Sequence, residues 1–392
     1  MKSIPVTNLK KITNPFLEFI NDSRAVGILL LICTAGSLIL ANTNFASAYF
    51  KIINTPTLSI ANIHLPHTIF HWINDGLMAI FFFLAGMEIK REITSGELSS
   101  FSQALLPLVA AIGGMLAPAL IFLFINNNTP FQHGWGIPMA TDIAFSLGIA
   151  ALLGSRVPIG LKIFLTALAI IDDIGAILAI ALFYSATINW IYIKIAVVII
   201  LVLFLLLRFK FFGFYTFILG VLLWYCFLNS GIHATIAGVI FAFFIPADKL
   251  HTIEHLINKP VNLLIIPIFA LANTAIILPP NLVSSTNNTL SWGIIAGLLI
   301  GKPFGIFLTC YLTVKLKLGK LPNLTTWRHI IGAGLLAGIG FTMSIFIATL
   351  AFDDLSSINI SKISVLIGSF LSIIFGALWL RFICRPTFNE SI

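Results

Sequence analysis

An all-α, polytopic membrane bundle is the fold that the sequence predicts, with about twelve transmembrane helices, two of them interrupted. Three observations lead there. Of the 392 residues, 59% are hydrophobic and 9% charged, and the mean hydropathy is +1.05, whereas an ordinary soluble domain carries about 25% charged residues. The apolar residues fall in runs of about 20, the length that crosses a hydrocarbon core of about 30 Å at about 1.5 Å per residue. The fourth run carries a proline with two glycines close together, and the eleventh carries four clustered glycines.

The segments run roughly 23–42, 69–91, 102–125, 133–153, 158–184, 189–208, 211–228, 231–246, 258–279, 291–313, 328–351 and 361–384. The first is too long for a signal-peptide core and has no evident cleavage site, so it is kept as a span. The second places Asp75 near its start and Glu88 near its end, positions suited to lining an entrance. In the fourth, Gly134, Gly136 and Pro138 fall within five positions and break or kink a helix. The fifth contains adjacent Asp172 and Asp173, inside the apolar run Phe164 to Phe183. The eighth opens with His233, more often a packing histidine than a proton carrier. The tenth holds Lys302 between Gly301 and Pro303, and the eleventh holds Gly332, Gly334, Gly338 and Gly340. Residues 1–22 form an N-terminal segment, 23–384 one transmembrane domain and 385–392 a short tail.

The fourth and eleventh segments are seven apart, an odd number, so they cross in opposite directions. Segments 3–5 and 10–12 are therefore expected to form inverted repeats, each with an interrupted helix at its centre. Such a pair is the sequence sign of a transporter's ion site. Exposed backbone at that depth requires cover by protein or water.

Charge sets the orientation. An even number of spans leaves both termini on one side. The N-terminus and every second connection carry 18 of the 22 basic residues, against Lys51, Lys194 and Lys362 on the other side. Both termini are thus expected in the cytoplasm. The remaining basic residue is Lys302, deep in the tenth segment. Cys33, Cys226, Cys310 and Cys384 lie in or at the ends of apolar runs, as small hydrophobes and not as disulfides or a metal cluster.

A carboxylate at membrane depth costs at least about 2.5 kcal/mol and marks an ion or proton pathway. Asp142, Asp172 and Asp173 all lie at such depth. Neighbours on one helix point about 100° apart, so one of the pair faces a cation while the other faces a partner, for which Lys302 is the candidate. Carboxylates, threonine hydroxyls and freed carbonyls are the hard oxygens that Na⁺ takes. A sodium-coupled solute symporter is the runner-up. An intramembrane aspartyl protease needs two carboxylates facing each other, an arrangement open to Asp142 with Asp172 and closed to adjacent residues. Metal-dependent prenyl transfer wants an acidic residue one turn on, where Gly175 and Ala176 stand.

The stretches Ala140-Thr141-Asp142-Ile143-Ala144-Phe145, Ile171-Asp172-Asp173-Ile174-Gly175-Ala176, Gly301-Lys302-Pro303 and Gly338-Ile339-Gly340-Phe341-Thr342-Met343-Ser344 resemble the signatures of bacterial NhaA-type sodium/proton antiporters. So do Trp72-Ile73-Asn74-Asp75, Glu88-Ile89-Lys90-Arg91-Glu92 and Gly231-Ile232-His233-Ala234-Thr235. The resemblance covers nearly the whole chain, in order, and this family is itself a reference case for inverted repeats with a midplane site. It implies exchange of cytoplasmic Na⁺ or Li⁺ for external protons, with pH regulation, in the bacterial inner membrane; if both aspartates exchange protons against one Na⁺, the exchange is electrogenic. Asp172 and Asp173 match its cation- and proton-binding pair, Lys302 its tenth-helix lysine, and Thr141 and Asp142 its broken fourth helix. Glu88 and Glu92 match acidic positions near the cytoplasmic funnel. Glu254 and His255 match the pH-sensing connection, which at 248–259 is shorter and less charged here. Residues 57–65 resemble an external hairpin at a homodimer contact. No cofactor and no nucleic-acid partner are implied, and the surroundings are membrane lipids.

Overall fold

The computed structural model describes residues 23–57, 64–185 and 187–384. In chain order the helices are α1 (Ser23–Ala41), α2 (Ala46–Ile53), α3 (Ile69–Ser95), α4 (Phe101–Ile125), α5 (Ile143–Leu152), α6 (Ile159–Phe183), α7 (Trp190–Arg208), α8 (Phe214–Leu228), α9 (Thr235–Ala242), α10 (Ala247–Asn273), α11 (Thr289–Lys315), α12 (Trp327–Ala337), α13 (Phe341–Ala351) and α14 (Leu355–Phe382). A 3₁₀ run, Gln132–Met139, precedes α5. Among the described residues, eight helical stretches are long and apolar enough to cross a membrane, or ten if two bent pairs each count as one span. The chain is a multi-pass, all-helical membrane protein, and helix occurs in each of the twelve apolar segments.

The fourth segment is 3₁₀ up to Met139, extended at Ala140 (φ −80°, ψ 153°) and Asp142 (φ −89°, ψ 106°), and α-helical from Ile143. The eleventh is bent by 46° between α12 and α13. Gly338 (φ −66°) and Gly340 (φ −90°) lie at that bend in conformations open to any residue. Pro138 is the penultimate residue of the 3₁₀ run.

Helices in lipid approach closely where side chains are small. Gly301 and Gly305 of α11 pack on α4 so tightly that a Cβ at Gly305 would stand 2.1 Å from the Gly113 carbonyl. A wide, i→i+5 turn at Gly297–Gly301 leads into Lys302, and bulges of this kind recur at functional sites.

Three details differ from the sequence expectation. The eighth segment is helical only over the eight residues of α9, about 12 Å long, because Gly231 turns the chain at φ 86° before it and Pro246 follows. The 248–259 connection is helix, the first part of α10. Leu250, Ile253 and Ile257 recur there at helical spacing, and Leu250 and Glu254 are buried. Lys362, expected in an aqueous connection, is buried in α14 with its ammonium 5.5 Å from the centre of the Phe70 ring. Lys302 is therefore not alone among the lysines in being buried. Residues 58–63 of the expected hairpin, together with 1–22 and 385–392, lie outside the described residues. On either side of 58–63, Pro56 and Thr68 form an isolated antiparallel bridge.

Candidate ion-exchange site

Breaking a helix frees carbonyls at one end and amides at the other, and burial demands partners for both. The two breaks cross each other and supply most of those partners. The Ile137 carbonyl accepts from Ser344 Oγ at 2.7 Å and the Met139 carbonyl from Lys302 Nζ at 2.5 Å. The Ile339 carbonyl accepts from the Asp142 amide at 2.7 Å. The Ala337 carbonyl lies 3.0 Å from the Thr141 hydroxyl.

The amide ends are met by oxygens. Asp142 caps α5, its Oδ1 accepting from Phe145 N at 3.1 Å. Its Oδ2 accepts from Thr342 N at 3.1 Å and from Thr342 Oγ1 at 2.5 Å, at the start of α13. One carboxylate thus serves two helix N-termini, where partial positive charge favours an anion. Ser369 Oγ of α14 accepts from Gly340 N at 3.2 Å and Phe341 N at 3.1 Å.

α6 carries the aspartate pair past this crossing. Asp172 turns to Lys302, whose Nζ lies 2.9 Å from Asp172 Oδ2, both side chains fully buried. Thr141 Oγ1 lies 2.6 Å from the same oxygen. Asp173 turns the other way, into a cavity of about 480 Å³ lined also by Glu88, Thr141, Asp142, Thr342, His255 and Lys259. One oxygen each of Asp172 and Asp173 has no hydrogen-bond partner in the structure. Asp142 and Asp172 are each engaged elsewhere, unlike a protease dyad. Three buried carboxylates stand against Lys302, so two negative charges remain for cations or protons to neutralise when all are ionised.

The lining extends to His255, Asn258 and Lys259 of α10, of which His255 and Lys259 are exposed. Glu88 belongs to it, about 20 Å along α3 from Asp75. Asp75 lies at the opposite end, in a separate cavity of about 260 Å³ with His64, His67 and His71. Glu254, buried on α10, is paired with Arg91 of α3, which also reaches Glu92 at 3.1 Å. His255 lies one residue on and lines the cavity. His233 contacts the Tyr184 carbonyl through Nε2 at 2.9 Å, away from the aspartates. The sequence reading passed over Thr342, Ser344 and Ser369 as ligands of the crossing. Thr342 and Ser344, polar residues directly after the Gly338–Gly340 break, were its available signal.

Comparison with known proteins gives the family. The Na+/H+ antiporter 1 family matches residues 17–380. The chain is 48% identical over 379 residues to Na(+)/H(+) antiporter NhaA 1 of Clostridium beijerinckii, covering 94% of this chain and 95% of the relative. It is 47% identical over 388 residues to Na(+)/H(+) antiporter NhaA of Cytophaga hutchinsonii, with 97% and 98% covered. To the protein of that name from Citrobacter koseri it is 47% identical over 377 residues, with 93% and 97% covered. With a family match along almost its full length and relatives of this similarity, the chain belongs to the Na+/H+ antiporter 1 family.

Proposed function

We propose that the protein is a secondary antiporter that exports Na⁺ or Li⁺ from the cytoplasm of a bacterial cell in exchange for external H⁺. The observation that carries the reading is Asp173: a buried carboxylate with a free oxygen, lining a cavity beside Thr141, Asp142 and Thr342. Asp172, Asp142 and the hydroxyls supply further hard oxygens for the cation. Family membership supports the same reading.

Exchange follows from competition. Na⁺ and protons seek the same oxygens, and the site changes access only when its carboxylates are neutralised by one or the other. Asp173 binds the cation or a proton at its free oxygen. Asp172 either keeps Lys302 as its counter-ion or releases it to take a proton. If two protons exchange against one Na⁺, charge moves each cycle and the rate responds to voltage, at about 2.3 kcal/mol per charge per 100 mV. Glu88, Glu92, Glu254 and His255, in the cavity lining or next to it, are the groups for pH regulation. The chain works without a cofactor, in the inner membrane with both termini cytoplasmic, as a dimer joined through 57–65.

Acridine-dye fluorescence in everted vesicles tests the proposal. Na⁺ or Li⁺ should dissipate a preformed proton gradient, with K⁺ much weaker. No dequenching at any pH from about 6 to 9, the range that brackets histidine and coupled carboxylate titrations, would falsify antiport.

A further inference from the structure

The interrupted fourth segment is gripped, away from the cavity, by a residue with no part in cation binding. Tyr184 caps the C-terminus of α6, about 18 Å along the axis from Asp172 at about 1.5 Å per residue. Its side chain is buried (9% exposed). The hydroxyl accepts from Gly136 N at 3.1 Å and donates to the His133 carbonyl at 2.8 Å. Those two groups are three residues apart, the pair that a 3₁₀ turn joins. Gln132–Met139 runs through both residues as an unbroken 3₁₀ stretch, so the phenol oxygen bridges that turn from its side, as a splint. The ring stacks on Trp135 at 6.2 Å and 27°.

Gly136 gives an independent sign that the fit is specific. A Cβ there would stand 2.7 Å from the Tyr184 hydroxyl and 3.2 Å from its ring. The glycine leaves room for the phenol. Three residues beyond Gly136, the Met139 carbonyl meets Lys302, and two further on Thr141 meets Asp172. Tyr184 therefore joins the end of the helix that carries the aspartates to the strand of backbone that holds their partners.

We propose that Tyr184 is a positioning residue: it locks Gln132–Met139 to the end of α6, so that Met139 and Thr141 stay in register with Lys302 and Asp172 and the two elements move as one body. The proposal rests on the exchange reading above for its kinetic readout and on the fold alone for its structural one.

Tyr184→Phe keeps the ring and removes the splint. At equal inserted amount, the half-saturating Na⁺ concentration should rise about three- to tenfold, which corresponds to about one net hydrogen bond, and the pH profile should shift. A merely structural tyrosine lowers melting temperature and leaves both unchanged in the folded molecules. Gly136→Ala pushes the hydroxyl away from the other side, so its effect should not add to that of Tyr184→Phe. Amide hydrogen exchange in detergent supplies a readout that needs no transport: residues 132–142 should lose protection at least several-fold in Tyr184→Phe while α14 does not. Parental Na⁺ affinity and pH profile, or unchanged protection of 132–142, overturns the proposal. If the parent itself exchanges no cation, the exchange reading fails and the protection measurement still decides the lock.

Discussion

Thr342 donates twice to one oxygen of Asp142, from its hydroxyl at 2.5 Å and its amide at 3.1 Å. The bond ties the second half of one interrupted helix to the cap of the other. Thr342→Val keeps the shape and removes the hydroxyl, a charge-assisted bond worth about 1.5–3 kcal/mol. The variant should melt at lower temperature in detergent, and Asp142→Ala should fall further because it strands three donors. A Thr342→Val protein that melts with the parent removes this bond from the account of the crossing.

Asp172→Asn and Asp173→Asn should both abolish or severely reduce exchange, because an amide neither takes up nor releases a proton in this pH range. Stability separates them. Asp172→Asn leaves the Lys302 ammonium buried without its counter-ion, whereas Asp173→Asn breaks no ion pair. The first should lower the melting temperature and the second should not. Exchange at the parent rate and cation affinity in either variant excludes that aspartate from the site.

Lys302→Ala should cost about 3–5 kcal/mol, as removal of one partner of a buried pair does. It also strips the Met139 carbonyl of its donor. Lys302→Arg keeps the charge and should retain more stability and more of the parental pH profile. If Lys302→Ala matches the parent in both melting temperature and pH profile, the pair contributes neither stability nor proton coupling.

Much of this was legible in the sequence because lipid punishes polar groups so heavily. A carboxylate pair in an apolar run, a lone lysine between Gly301 and Pro303, and the Gly134–Pro138 and Gly332–Gly340 clusters each have few physical excuses. Their contacts were harder to read. Which of the two aspartates meets Lys302 depends on how α6 is rotated, and the structure turns Asp172 to it, whereas the Met139 carbonyl that Lys302 also meets has no mark in the sequence. Lys362 was misplaced because α14 begins at Leu355, ahead of its apolar run, so that serines and a lysine join its first turns. Polarity makes 248–259 read as a connection, although Leu250, Ile253 and Ile257 mark one helical face.

Asp354 caps α14, with Ser357 N donating to its Oδ2 at 2.7 Å, and this bond holds its carboxyl below the ordinary carboxylate range. A depressed folded value means that the stabilisation is present above the unfolded value of about 3.9 and is lost as pH falls through the folded one. Asp354→Ala should cost about 1 kcal/mol at neutral pH, with the difference from the parent shrinking below about pH 4. Melting curves across that range check the sign: a gap that widens on acidification contradicts the capping role.

Arg91 on α3 and Glu254 on α10 form an ion pair, with Glu254 buried, its second oxygen unpartnered, and His255 of the cavity lining next to it in sequence. Removing the arginine leaves a buried carboxylate alone, which costs more than removing both members together. Arg91→Ala should therefore destabilise strongly, and Arg91→Ala with Glu254→Ala should recover part of that loss, a coupling of about 0.5–3 kcal/mol in a double-mutant cycle. α10 also carries His255 and Lys259 into the cavity, so loosening it should shift the pH at which exchange turns on. Glu254→Gln, which keeps the shape and drops the charge, separates packing from charge. If the pH profile follows Glu254→Gln as it follows Arg91→Ala, the charge at this position sets it. If only Arg91→Ala moves the profile, the position of α10 sets it instead. A cycle with no coupling and an unmoved profile in every variant discards the pair as a link between the two helices.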